Sequence, residues 1–230
     1  GFTGCIAVLE NELTALSSME HDTLIASRHI LGIVPRLPEH ARLASNPEAG
    51  ILGYHLPVFT GSTPQLKQLD TLCDLGLPLS VDLARTPLAS LRDLIEAKPT
   101  LQVILNHYGR PETGPDEFET ANDPWLSALQ WLHEHPQTVI TLSGLINPSD
   151  AGHFDDWDLP EAHFKPRLAD LMAVFGEDRI LFSSNWPIGL MSASFEDTLD
   201  LMTTLIDALS PTSLAKIMGL NAARCYGIEP

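Results

Sequence analysis

The sequence predicts an α/β protein with a TIM-like (β/α) barrel, incomplete because seven strands are recognisable where a closed barrel has eight. Three observations carry this expectation. Short β-branched or apolar runs alternate with longer amphipathic stretches from one end to the other, which is the rhythm of parallel βαβ units. The runs are evenly spaced, which suits a barrel better than a doubly wound sheet with a central switch point. A length of 230 residues fits one domain over residues 1–230, since α/β barrels pass 200 residues without dividing.

In chain order, the first strand is expected at Cys5–Leu9 and the first helix at Leu13–Ser27. Strands follow at Ile30–Val34 and Ile51–Pro57, then a helix over Gln65–Leu75 that Gly76 stops. Next come the strand Leu79–Leu83, the helix Leu88–Ala97 and the strand Gln102–Asn106. Asp123-Pro124 opens a helix over Pro124–Glu134, because proline suits a first helical position. The strand Val139–Leu142, the helix His163–Phe175 with its stop at Gly176, and the strand Ile180–Ser183 continue the alternation. Helices at Phe195–Leu209 and Ser213–Cys225 finish it, the second opened by Ser210-Pro211. Pro111–Asp123 and Pro148–Pro160 lack periodicity and follow strands, so both are expected as loops on the C-terminal face, where barrels bind substrates.

Composition narrows the function. The apolar share of 44% and charged share of 19% are those of a globular protein. A formal charge of −17, with no Lys/Arg cluster to offset it locally, repels phosphate backbones and anionic lipid, so nucleic acid and membrane are excluded as partners. No apolar run reaches the roughly 18–20 residues that cross a bilayer, and Gly1-Phe2-Thr3-Gly4-Cys5 has no basic signal-type region; the expected location is cytoplasmic. Cys5, Cys73 and Cys225 lie far apart without metal or redox spacing and are expected to be small buried hydrophobes.

Residues at strand ends face the substrate side of a parallel barrel, and the polar ones there are few. They are Glu10, His55, Asp82, Asn106, His107, Ser143, and Ser183-Ser184-Asn185 before Trp186-Pro187. His107 follows a wholly apolar strand, where an imidazole serves as base, donor or ligand, or merely caps a loop. His55 in Gly53-Tyr54-His55-Leu56-Pro57 carries the same two readings. Asp82 sits among apolar strand neighbours, so its carboxylate needs a partner or a raised pKa; a position pointing at a ligand or at Arg85 and a purely structural one both stay open. Asn185 both donates and accepts hydrogen bonds but holds no titratable proton. His133 and His135 flank a helix end and point apart, which makes a poor metal pair. GxSxG, GxxxxGK[ST] and GxGxxG strings are all absent, against α/β-hydrolase, P-loop and dinucleotide-binding chemistry.

Taken together, four segments resemble the amidohydrolase-related family, in its fuconolactonase, rhamnonolactonase and 2-pyrone-4,6-dicarboxylate lactonase branch. They are Asn106-His107-Tyr108-Gly109-Arg110-Pro111, Thr141-Leu142-Ser143-Gly144-Leu145, Gly176 through Pro187, and Asn221-Ala222-Ala223-Arg224-Cys225-Tyr226. The resemblance implies a TIM-like barrel that opens lactones or related carbonyl compounds with water, some branches with a divalent metal and some without. It also implies a first strand bearing an HxH pair, whereas this chain begins about where the family's second strand starts. Three positions depart from the pattern. Asn185 stands for the family's aspartate before Trp-Pro, Asn106 for the aspartate before the histidine, and Thr141 for the lysine before Ser-Gly.

Each departure removes a charge or a base. A site of His107 and neutral amides suits no tightly held metal, since divalent ions want several anionic or imidazole ligands, so no cofactor is expected and any ion would bind weakly. Two functions stay open: a metal-independent, impaired hydrolase of a small lactone or cyclic ester, or a non-hydrolytic, ligand-binding member of the same fold. Under the first, His107 and Asn185 carry the catalytic roles, with His55, Asp82, Asn106, Ser184 and Trp186 contacting a small-molecule substrate. A barrel short of a strand leaves sheet edges unpaired, which also suggests a homodimer.

Overall fold

Strand order in the sheet equals sequence order: β1 (Cys5–Glu12), β2 (Ile30–Arg36), β3 (Tyr54–Leu56), β4 (Leu79–Asp82), β5 (Val103–Asn106), β6 (Thr138–Thr141) and β7 (Ile180–Leu181). The structure, a computed structural model, describes residues 3–12, 18–38, 43, 49–82, 85–109, 124–144, 161–191 and 193–229. Helices α1 (Ser18–Ala26), α2 (Thr63–Leu75), α3 (Leu88–Ala97), α4 (Pro124–His133), α5 (Glu161–Phe175), α6 (Phe195–Leu209) and α7 (Asn221–Tyr226) accompany the strands. Parallel pairing of strands that are neighbours in sequence, with helices between them, is the (β/α) barrel connectivity that the sequence predicts, with seven strands among the described residues. The expected loops at Pro111–Asp123 and Pro148–Pro160, the helix start at Leu13 and the strand end at Leu83 lie outside the described residues. No helix among the described residues is long and apolar enough to cross a membrane.

The chain divides into two compact units, Gly1–Ile104 with Ala223–Pro230, and Leu105–Ala222. In the first, the core gathers Ile33 and Val34 from β2, Leu79 and Val81 from β4, and the apolar stripes Leu69/Leu72 of α2 and Leu91/Leu94/Ile95 of α3, all solvent-excluded. Pro35 has no N–H to give the ladder, and the β1–β2 register shifts between Val8 and Glu12, opposite that proline. Gly32 is required by close approach: a β-carbon there would lie 2.3 Å from the Leu52 side chain and 2.9 Å from the Gly50 carbonyl. That approach lets Ile33 N–H reach Gly50 O at 2.8 Å and Leu52 N–H reach Ile33 O at 2.9 Å. The regular part of the strand expected at Ile51–Pro57 is accordingly short, with Ile51 joined to Ile33 only by an isolated bridge. Cys5 is exposed on β1 and Cys73 and Cys225 are half-buried, so the expectation of buried cysteines fails, most clearly at Cys5.

In the second unit, α6 forms where expected. Ser194 accepts the Asp197 N–H at 3.0 Å, Glu196 and Asp197 complement the helix N-terminus, and Leu201, Met202, Leu205 and Ile206 form the buried stripe. The helix expected over Ser213–Cys225 is instead a 3-10 turn (Pro211–Ser213), a π segment (Lys216–Leu220) and α7. The reason is a competing bond. The Asn221 N–H reaches back five residues to Lys216 O, which leaves Ile217 O to accept the Phe182 N–H at 2.8 Å. The strand expected at Ile180–Ser183 therefore ends its ladder at Leu181, and Phe182 bonds a helix carbonyl.

Asn221 also donates from Nδ2 to Glu177 O at 2.7 Å and Ile180 O at 2.8 Å, bracketing the start of β7. The residue is 1% exposed, so Asn221→Ala would strand two buried carbonyls. A loss of roughly 2–4 kcal/mol is expected, read as a lower urea midpoint at unchanged slope.

Close by, Lys216 pairs with Glu177 and, at 3.0 Å, with Asp178, while Ser213 donates to Glu177. The Lys216 ammonium, then the Ser213 hydroxyl, hold the Glu177 carboxyl below its ordinary range; the Glu177 and Asp178 carboxylates hold Lys216 above its own. The lowered Glu177 stabilises the fold above the unfolded carboxylate pKa of about 4.3, and this is lost as pH falls through the folded value. The raised Lys216 stabilises it below the unfolded lysine pKa of about 10.4, and this is lost as pH rises through the folded value. Glu177→Gln is expected to flatten the acid limb of a thermal-midpoint profile against pH.

Candidate functional site

The buried apolar run Val103-Ile104-Leu105 makes β5 a core strand, and the chain leaves it through a 3-10 turn over His107–Gly109. His107 has φ 55°, Tyr108 φ 43° and, after β7, Asn185 φ 54°: these are the non-glycine residues in the left-handed region among the described residues. Histidine and asparagine tolerate that region better than most, yet each such residue costs on the order of 1–3 kcal/mol and persists where surrounding structure imposes it. Tyr108 is solvent-excluded, and its buried ring anchors the turn.

His107 and Asn185 converge at Gly144, which follows β6. Gly144 has φ 69°, and the point where a β-carbon would stand lies 3.1 Å from His107 Nδ1 and 3.5 Å from Asn185 Nδ2. A side chain there would be strained in its backbone and would crowd both groups, so glycine keeps this cradle open. Ser143 Oγ is 3.1 Å from His107 Nδ1, and the serine is buried. Beside the cradle, Leu142, Gly144, Phe182, Ser183, Ser184, Asn185, Thr198 and Met202 help line a small recess of about 10 Å³. Among the described residues, Ser143 is the sole hydrogen-bonding partner of the His107 ring, and the Asn185 carboxamide has none.

The other expected site residues fall as follows. Ser184 Oγ accepts the Trp186 N–H at 3.2 Å, tying the turn that carries Asn185, and Trp186 is 67% exposed. Asn106 is half-buried at the end of β5. In the first unit, buried His55 has Nδ1 3.3 Å from Ser80 Oγ and Nε2 3.8 Å from Glu10 Oε1. Asp82, also buried, has Arg85 Nε at 3.5 Å, the partner that the sequence offered as an alternative to a ligand. Residue types flagged the candidates, but the part played by Gly144 escaped notice. The available signal was a glycine directly after a strand end that carries a serine.

His133 and His135 are engaged in packing. His133 Nδ1 lies 2.6 Å from Arg179 Nη2, and His135 Nδ1 lies 2.9 Å from Trp131 O, with the Trp131 and His135 rings in contact at a 37° tilt. Among the described residues, no three His, Cys, Asp or Glu side chains converge as a metal site would require.

Strand order together with a histidine after β5 and an Asn-Trp-Pro turn after β7 defines a barrel of the amidohydrolase class. Residues 39–228 match the family model described as amidohydrolase, and the chain belongs to that family. It is 32% identical over 138 residues to an L-fucono-1,5-lactonase of Burkholderia multivorans, covering 56% of this chain and 44% of the relative. It is 27% identical over 192 residues to the L-fucono-1,5-lactonase of Burkholderia ambifaria, covering 75% of this chain and 63% of that one. The chain spans about half the length of the curated relatives it matches. A crystal structure of an amidohydrolase from Burkholderia multivorans with bound zinc superposes with a TM-score of 0.82 at 21% identity, covering 99% of this chain and 84% of that one. One imidazole, a serine hydroxyl and a carboxamide do not fit zinc, which takes four nitrogen, sulfur or carboxylate ligands; the described residues at Gly144 therefore do not match that ion.

Proposed function

We propose that this chain acts as a metal-independent hydrolase of a small lactone or related cyclic ester, with His107 as general base. The observation that carries this reading is the convergence of the His107 imidazole and the Asn185 carboxamide on the open space at Gly144. An imidazole can take a proton from water, and a carboxamide N–H can hydrogen-bond a carbonyl or hydroxyl oxygen. In this reading Trp186 forms an apolar wall, Ser184 holds the turn, and Asn106 contacts the substrate. The lactonase relatives support the choice of a ring ester.

A second reading rests on Asn185 itself, which cannot act as a base where the resembling enzymes have an acid. The chain then keeps a ligand-binding pocket without turnover. Initial rates on a panel of five- and six-membered sugar lactones, with and without chelator, separate the two. Slow hydrolysis that is indifferent to chelator supports the hydrolase; binding without turnover supports the other reading, and chelator-sensitive turnover contradicts metal independence.

A further inference from the structure

We infer that Ser143 is a positioning residue that fixes the tautomer of His107, accepting a hydrogen bond from Nδ1–H and so leaving Nε2 bare to take a proton. This inference rests on the reading of His107 as the base. Geometry supplies the reason. Ser143 stands one residue beyond Leu142, whose N–H is held by Leu181 O at 2.8 Å, so the serine is fixed by the sheet and its Oγ meets Nδ1 at 3.1 Å. The histidine backbone is held on its other side by the left-handed turn that ends in buried Tyr108. An imidazole can carry its proton on either nitrogen, and the partner of one nitrogen decides what the other does.

The first unit also sets a serine hydroxyl beside a histidine Nδ1. There His55 has its Nδ1 on Ser80 Oγ, but its Nε2 faces the Glu10 carboxylate at 3.8 Å. A carboxylate accepts, so a proton on Nε2 of His55 would face it, with Ser80 then donating to Nδ1. No carboxylate faces His107 among the described residues, and its Nε2 has no partner there. A serine hydroxyl beside a histidine Nδ1 thus occurs twice, once with a carboxylate 3.8 Å from Nε2 and once, at His107, with none paired to it among the described residues.

The test is a long-range proton–nitrogen NMR spectrum of the full chain labelled with nitrogen-15 histidine, with His107 assigned by the signal missing in His107→Gln. The expected wild-type result is a protonated Nδ1 and a bare Nε2. Ser143→Ala is expected to shift His107 toward a protonated Nε2 and to lower kcat by at least tenfold with little change in KM, as part of the ~10²–10⁴ a positioned base contributes. Ser143→Thr, which keeps the hydroxyl, is expected to restore both. A wild-type His107 protonated on Nε2 would overturn the inference, as would a Ser143→Ala tautomer unchanged from wild type. Because the spectrum needs no substrate, failure to find a lactone that turns over would sink the hydrolase reading and leave the tautomer decided by itself.

Discussion

Replacing Asn185 by aspartate is expected to raise lactone hydrolysis by about 10²–10⁴-fold, the usual contribution of a positioned general base. The two side chains are nearly isosteric, so the carboxylate would occupy the space that the carboxamide fills beside Gly144 and His107. The backbone there is left-handed, a conformation that aspartate accepts about as well as asparagine. The exchange also removes an N–H donor. Were that donor the main stabiliser of the developing oxyanion, losing it would cost about 10²–10³, and the variant would be slower than wild type. A gain therefore identifies a missing base, and a loss identifies a donor. Unchanged hydrolysis counts against the lactone reading.

His107→Ala carries the other large effect. Its expected result is a fall in kcat/KM of about 10²–10⁴, borne mostly by kcat, because the imidazole acts on the proton in flight more than on the resting substrate. Thermal midpoints should move little by comparison. The ring is half-buried, and Ser143 is its hydrogen-bonding partner among the described residues. A variant that loses activity only in proportion to unfolding would assign His107 a structural part.

Much of this architecture was legible because it is local. The amphipathic stripe and acidic first turn of α6 announce its limits, and the alternation of β4 and the apolar run of β5 announce theirs. The last helix was misread because what breaks it comes from far away: the Phe182 N–H claims Ile217 O, and no helical period records that demand. The site divides along the same line. His107 and Asn185 stand out as polar residues after apolar strands, whereas the cradle depends on three backbones with positive φ meeting at Gly144. Asp82 and Arg85 are three residues apart, so their pairing was foreseeable; the Ser80 and Glu10 partners of His55 come from other strands and were not.

The central claim is that His107 and Asn185 act on one reacting centre, and a double-mutant cycle in kcat/KM over wild type, His107→Ala, Asn185→Asp and the double variant tests it most directly. Side chains that share a reacting atom should couple by more than about 1 kcal/mol, so the gain from aspartate would differ at least fivefold between the two backgrounds. Effects that add to within about 0.5 kcal/mol would show two groups working apart, and would contradict the account.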